Sequence, residues 1–138
     1  MEYQVIAIDG PSASGKSTVA RRVSQALGHL YVDSGSLYRG VTWAALKEGV
    51  DTRDGQAVSG LIGRMDIRFD AGDGAVTFSI GGRSPGPELR TRTIDENVSY
   101  VAAVRDVRST VNRWLRDMRR LWSLVVEGRD IGTAVFPE

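Results

Sequence analysis

The sequence predicts an α/β fold, a parallel sheet flanked by helices with a small antiparallel β insertion. Three observations predict it. Val5-Ile6-Ala7-Ile8 and Leu124-Val125-Val126 are continuous apolar runs, the pattern of strands buried on both faces. Between them, apolar residues recur at helical spacing in several segments. Around a Gly-Asp-Gly turn, Ile67 and Phe69, then Val76, Phe78 and Ile80, alternate with polar residues, which signals a hairpin.

In chain order, the first strand ends at Asp9-Gly10. A helix follows from Lys16, with Val19, Ala20, Val23, Ala26 and Leu27 in phase and Gly28 as the expected stop. Leu30-Tyr31-Val32 reads as a second strand ending in Asp33-Ser34-Gly35. A helix through Leu37, Val41, Ala44 and Ala45 runs from there to Gly49. A third helix is expected around Ala57 to Ile62, weakened by Gly60 and Gly63. The segment 63–90 is read as the antiparallel insertion, closed by the Gly- and Pro-rich stretch Gly81 to Pro87. Thr93 and Glu96 have capping-box spacing ahead of Val98, Val101, Ala102 and Val104. A further helix from about Asp106 carries Val107, Val111, Trp114, Leu115, Met118 and Leu121 on one face and arginines on the other, so these apolar residues are expected in the core.

Composition narrows the chemistry. The 138 residues suit one domain, and eighteen basic against seventeen acidic residues leave a formal charge of +1. No global field favours nucleic acid or an anionic membrane, so an anion must be bound locally. The absence of cysteine excludes disulfides, thiolate metal sites and a cysteine nucleophile, and the single histidine, His29, cannot build a histidine cluster. Neither a secretion signal nor a span of ~20 apolar residues is evident, so the chain reads as soluble and cytoplasmic. Sixteen of the eighteen basic residues are arginine, whose planar fork suits phosphate and carboxylate oxygens.

The segment Gly10-Pro11-Ser12-Ala13-Ser14-Gly15-Lys16-Ser17 fits G-x-x-x-x-G-K-[ST], between the buried strand and the amphipathic helix that this motif requires. It is the phosphate-binding loop of P-loop NTPases. Gly10 and Gly15 let successive amides turn inward onto phosphates, and the helix N-terminus adds partial positive charge. Gly10, Ser12, Ala13, Ser14, Gly15, Lys16, Ser17 and Thr18 are therefore the expected nucleotide-binding residues. Lys16 would reach the β/γ oxygens, and the Ser17 hydroxyl would ligate Mg²⁺. The loop does not identify the acceptor.

Two more loops are expected to leave strand ends, where ligands of open α/β sheets gather: Asp33-Ser34-Gly35-Ser36-Leu37-Tyr38-Arg39 and Glu127-Gly128-Arg129-Asp130. They are expected to converge on the phosphate loop. At these residues the chain resembles the cytidylate kinase family of nucleoside monophosphate kinases, which IDGPSASGKST, DSGSLYRG and VVEGRDIGTAVFP match in the family's order. The resemblance extends over essentially all 138 residues as one P-loop kinase domain. It places the insertion in the monophosphate-binding region.

The resemblance implies transfer of the ATP γ-phosphoryl group to CMP or dCMP, with ATP and Mg²⁺ as cofactors, no nucleic-acid or membrane partner, and a monomer at full length. It implies that Ser34 and Arg39 belong to the acceptor segment, that Arg39 and Arg129 bind the acceptor phosphate, and that Ser99, Arg108 and Asp130 read cytosine. Lys16, Arg39 and Arg129 become the expected catalytic groups, and Asp33 joins Ser17 in the expected metal region. The chemistry is apt: a carboxylate accepts from cytosine's exocyclic amine while a guanidinium donates to its ring acceptors, and uracil reverses one of those roles.

Family members continue well past Phe136-Pro137 into a further strand and an arginine-bearing lid over ATP. The resemblance therefore implies a C-terminally incomplete domain, an uncovered phosphate-loop strand, and weak or absent turnover by these residues alone. The competing readings are a non-catalytic nucleotide-binding fragment and another small-molecule P-loop kinase.

Overall fold

The computed structural model describes residues 3–10, 15–129 and 131. Its elements are β1 (Val5–Asp9), α1 (Lys16–Leu27), β2 (Leu30–Asp33), α2 (Ser34–Lys47), α3 (Gly55–Arg64), β3 (Ile67–Gly72), β4 (Ala75–Ile80), a 3₁₀ turn (Gly86–Arg90), α4 (Arg92–Ala102), α5 (Arg105–Met118) and β5 (Leu124–Gly128). The five strands form a single mostly parallel sheet in the order β1-β5-β2-β4-β3, flanked by helices, as expected of a P-loop NTPase fold.

β5 runs parallel to both β1 and β2, with Asp9 opposite Gly128 and Asp33 opposite Glu127. All five β5 residues are buried, which is why its apolar residues run without alternation. β1 has one strand neighbour among the described residues and is only partly buried. β2 touches β4 through a single parallel bridge, Tyr31 to Ala75. The β3–β4 turn has positive φ at both central residues, Asp73 and Gly74, the primed geometry that matches strand twist.

The chain divides into two compact units. One comprises 1–35, 70–77 and 112–138, and the other comprises 36–69 and 78–111. In the first, Ala20, Tyr31 and Val125 form a buried cluster with Ile6, Ile8, Val23 and Ala75 against it. In the second, Trp43, Ala44, Ala45, Leu61, Ile80, Leu89 and Ile94 form another, supported by Val50, Met65, Ile67 and Phe78.

Three local expectations are corrected. The α4 cap is Thr91, not Thr93: the Thr91 hydroxyl accepts from Ile94 N–H at 3.4 Å, while the Thr93 carbonyl is already inside the helix and accepts from Asn97. Trp114 and Met118 are buried, but Leu121 is 58% exposed because α5 ends at Met118 and the chain turns before reaching that face again. No loop separates β2 from the next helix, since α2 starts at Ser34 immediately after Asp33.

Candidate functional site

The carboxyl ends of β1, β2 and β5 lie side by side in register, so their terminal residues meet at one edge of the first unit. Gly10 N–H donates to the Gly128 carbonyl at 3.2 Å, and Ile131 N–H donates to Asp9 Oδ1 at 2.7 Å, which ties the chain leaving β5 to the end of β1.

α1 opens on Gly15, whose φ of 80° is the left-handed region that a side chain disfavours. Gly15 supplies no side-chain cap, so the helix's first amides are left for other acceptors. Lys16 and Ser17 occupy the first turn. Lys16 Nζ donates to the Gly10 carbonyl at 2.5 Å, which turns the lysine back toward the end of β1. Thr18 is exposed one residue further on. Ser12, Ala13 and Ser14 lie outside the described residues.

Beneath this turn sits Glu127. Its side chain is 1% exposed, and its two carboxylate oxygens lie 2.8 and 2.9 Å from Ser17 Oγ. The Tyr31 hydroxyl donates to Oε1 as well. Tyr31 is itself buried, with the Arg21 guanidinium 4.4 Å above its ring. A buried carboxylate demands such partners, because desolvation of an unpaired charge is costly. The Glu127 backbone is held too: buried Ser34 Oγ donates to its carbonyl at 2.7 Å. Gly128 permits that contact, since a Cβ there would fall on Ser34 Oγ and come within 2.9 Å of Ile131 Cδ1.

Glu127 opens a segment that the sequence places near the phosphate loop, but the sequence assigns it no role of its own. The available signal was a carboxylate ending a buried apolar run in a chain that also carries a phosphate loop. Ser17 and Glu127 together offer a hydroxyl and a carboxylate, the hard oxygen donors that suit Mg²⁺. The described residues contain no group of three or more acidic or histidine side chains able to hold a metal by themselves. Mg²⁺ commonly needs fewer, because phosphates and water complete its shell. Asp33 Oδ1 accepts from Gly35 N–H at 3.0 Å, in the turn that starts α2. Arg129 is exposed just past β5, and Asp130 lies outside the described residues.

The second unit holds the other expected residues. Arg39 Nη1 donates to the Leu89 carbonyl at 2.9 Å and to Asp95 Oδ1 at 2.6 Å. Arg108 caps α4: its Nη1 donates to the Ala103 carbonyl at 2.8 Å and reaches that of Ala102 at 3.4 Å. Burial raises the pKa of Tyr38 above the usual tyrosine value, and the nearby Arg108 charge offsets only part of that. Ser99 is exposed and lines a cavity of about 880 Å³ with Arg53, Gln56, Tyr100 and Arg105. The Arg53 guanidinium stacks 4.8 Å from the Tyr100 ring in that wall.

Residues 6–138 match the family model described as cytidylate kinase. The chain belongs to the cytidylate kinase family. Among curated relatives, the cytidylate kinase of Nitrosomonas eutropha is 44% identical over 134 residues, covering 97% of this chain and 58% of the relative. That of Shouchella clausii is 38% identical over 133 residues, covering 96% and 59%. A bifunctional pantoate ligase/cytidylate kinase of a Synechococcus strain is 39% identical over 135 residues, covering 97% of this chain and 26% of the larger protein. The chain thus spans just under 60% of the length of the first two cytidylate kinases. No helix among the described residues is long and apolar enough to cross a membrane.

Proposed function

We propose that this chain is the phosphate-loop and acceptor-binding portion of an ATP-dependent kinase that phosphorylates CMP and dCMP. The observation that carries the reading is the Ser17–Glu127 pair beneath the opening of α1, in a chain of this family. A hydroxyl held by a buried carboxylate in the first turn of a helix whose N-cap is glycine is suited to a polyphosphate and its cation.

The amides of residues 10–17 and Lys16 bind the β- and γ-phosphates. For Lys16 this means exchanging the Gly10 carbonyl for charged oxygens, which make stronger hydrogen bonds. Ser17 and Glu127 would hold Mg²⁺, which would supply neutralisation of charge on the phosphate oxygens. Glu127 takes the metal role that the sequence suggested for Asp33, because it is the carboxylate in contact with Ser17. Tyr31 and Ser34 orient Glu127 through its side chain and its backbone.

Arg39 and Arg129 bind the acceptor phosphate and reduce its repulsion toward ATP. Ser99, Arg108 and Asp130 read the base. Arg108 can do so with little loss of side-chain freedom, because bonds to the α4 carbonyls already restrain it. No covalent nucleophile is required, since positioning and charge stabilisation carry phosphoryl transfer.

The test is ADP formation by the full-length protein with CMP, dCMP, UMP and AMP in turn. Turnover with the cytidine nucleotides well above the other two is expected. Equal silence with all four would reject the kinase reading, and preference for AMP or UMP would reassign the acceptor.

A further inference from the structure

Arg39 is engaged by a carboxylate that belongs to the protein. Its Nη1 lies 2.6 Å from Asp95 Oδ1, the shortest of the described salt bridges, and the same nitrogen donates to the Leu89 carbonyl. The two partners differ in environment. The Arg39 side chain is 23% exposed and that of Asp95 is 56% exposed. A largely desolvated guanidinium gains from a counter-anion, whereas a carboxylate in contact with water loses little when its partner leaves.

Asp95 has a second source of stabilisation. It lies in the first turn of α4, where the Thr91 hydroxyl caps the helix and Asp95 N–H donates to the Thr91 carbonyl. Negative charge is favoured at a helix N-terminus, which offsets part of what the Asp95 side chain loses when Arg39 leaves. The Leu89 carbonyl keeps a hold on the arginine through any such exchange.

From this asymmetry we infer that Asp95 is an internal competitor of the acceptor phosphate: it occupies Arg39 in the ligand-free protein and is displaced when a nucleoside monophosphate binds. The inference rests on the reading of Arg39 as an acceptor-phosphate ligand. A phosphate dianion wins the exchange because it carries more charge and can accept from the guanidinium fork through two oxygens. Asp95 therefore weakens acceptor binding by the free energy of the pair that must be broken. Partly exposed pairs are worth about 0.2–1 kcal/mol, which corresponds to roughly 1.4- to 5-fold in affinity.

The experiment is calorimetric titration of full-length protein with CMP and, separately, with cytidine. Asp95→Asn and Asp95→Ala are expected to tighten CMP about 2- to 5-fold and leave cytidine binding unchanged. Glu96→Gln, one position along, removes a charge that faces Arg92 instead, so it controls for the general field and should change CMP affinity less than Asp95→Asn. Unchanged or weaker CMP binding in both Asp95 variants would overturn the inference, the latter by showing that Asp95 orients Arg39 for its ligand. A gain that Glu96→Gln reproduces in full would overturn it as well. Arg39→Ala separates the two levels: if it leaves CMP affinity intact, the assignment of Arg39 to the acceptor phosphate fails, whatever Asp95 does.

Discussion

Replacing Glu127 by Gln tests whether the buried carboxylate serves the cation or only the fold. The side chain keeps its length and one oxygen acceptor, so Tyr31 and Ser17 can both stay in place, with the new amide donating to Ser17 Oγ. Two opposing effects act on stability. Hydrogen bonds to a charged acceptor, worth about 1.5–3 kcal/mol, become neutral ones worth about 0.5–1.5 kcal/mol. Against that, a 1%-exposed carboxylate no longer has to be desolvated, a relief of several kcal/mol per ion before its lost partners are counted. Folding stability should therefore hold or rise. Metal use should not. Loss of a carboxylate that touches a metal-binding hydroxyl commonly costs ~10- to 100-fold in metal affinity or activity. The assay is the Mg²⁺ concentration for half-maximal ADP formation by full-length protein with ATP and CMP, read beside a urea melt. A raised Mg²⁺ requirement with an intact melt is expected. An unchanged requirement would refute the metal role, and an unchanged requirement with a large loss of stability would make Glu127 a purely structural residue.

Further outcomes follow from the same contacts. Tyr31→Phe keeps the ring under Arg21 but removes the donor to Glu127, so urea denaturation should show a loss of about 1.5–3 kcal/mol; no loss would mean that the hydroxyl contributes nothing. Gly128→Ala forces the Ser34 hydroxyl off the Glu127 carbonyl and crowds Ile131, adding ~1–3 kcal/mol of overpacking to the broken bond, and a near-neutral melt would contradict the close approach. Tyr38 supplies a pH dependence: burial raises its folded-state pKa above 10.0, so its contribution is fully present below pH 10.0 and is lost as pH rises through the folded-state value. Tyr38→Phe should flatten that alkaline decline, and stability curves of the same slope in both proteins would exclude the assignment.

Much of this is legible in the sequence because it depends on local pattern. Val5 to Ile8 and Leu124 to Val126 announce buried strands by their unbroken apolar character, and the glycine–lysine–serine run places the α1 start. The role of Glu127 is not local. It arises from the register that sets Ile8 and Asp33 on either side of it, and from the fold of α1 that lowers Ser17 onto it across more than a hundred residues. A reader of the sequence sees only an acidic residue after three apolar ones. Thr91 and Thr93 show a subtler limit. Both precede apolar helical residues, and the capping-box spacing favours Thr93, but the 3₁₀ turn ends at Arg90, which makes Thr91 the cap and Arg92 the first helical residue. Leu121 continues the α5 stripe in sequence, yet Arg120, Leu121 and Trp122 are already bonded into the turn that follows the helix.

Two of the three expected phosphate-binding cations, Lys16 and Arg39, share a feature that the structural residues around them lack: each is held by a partner that a phosphate can replace. Lys16 rests on a neutral carbonyl, and Arg39 on a solvent-facing carboxylate. Ser34 instead is locked by a buried bond to the Glu127 backbone carbonyl that a ligand cannot improve. On the proposed function, binding a nucleotide would exchange hydrogen bonds instead of creating them all anew, and the net affinity would be the difference between two sets of partners. Substitutions at the replaceable partners should accordingly move substrate affinity, while substitutions beneath Glu127 should move stability and cation use. Asp95 and Tyr31 provide one residue of each kind, and opposite behaviour from that pair, with Tyr31→Phe altering acceptor affinity and Asp95→Asn altering the Mg²⁺ requirement, would dissolve the distinction.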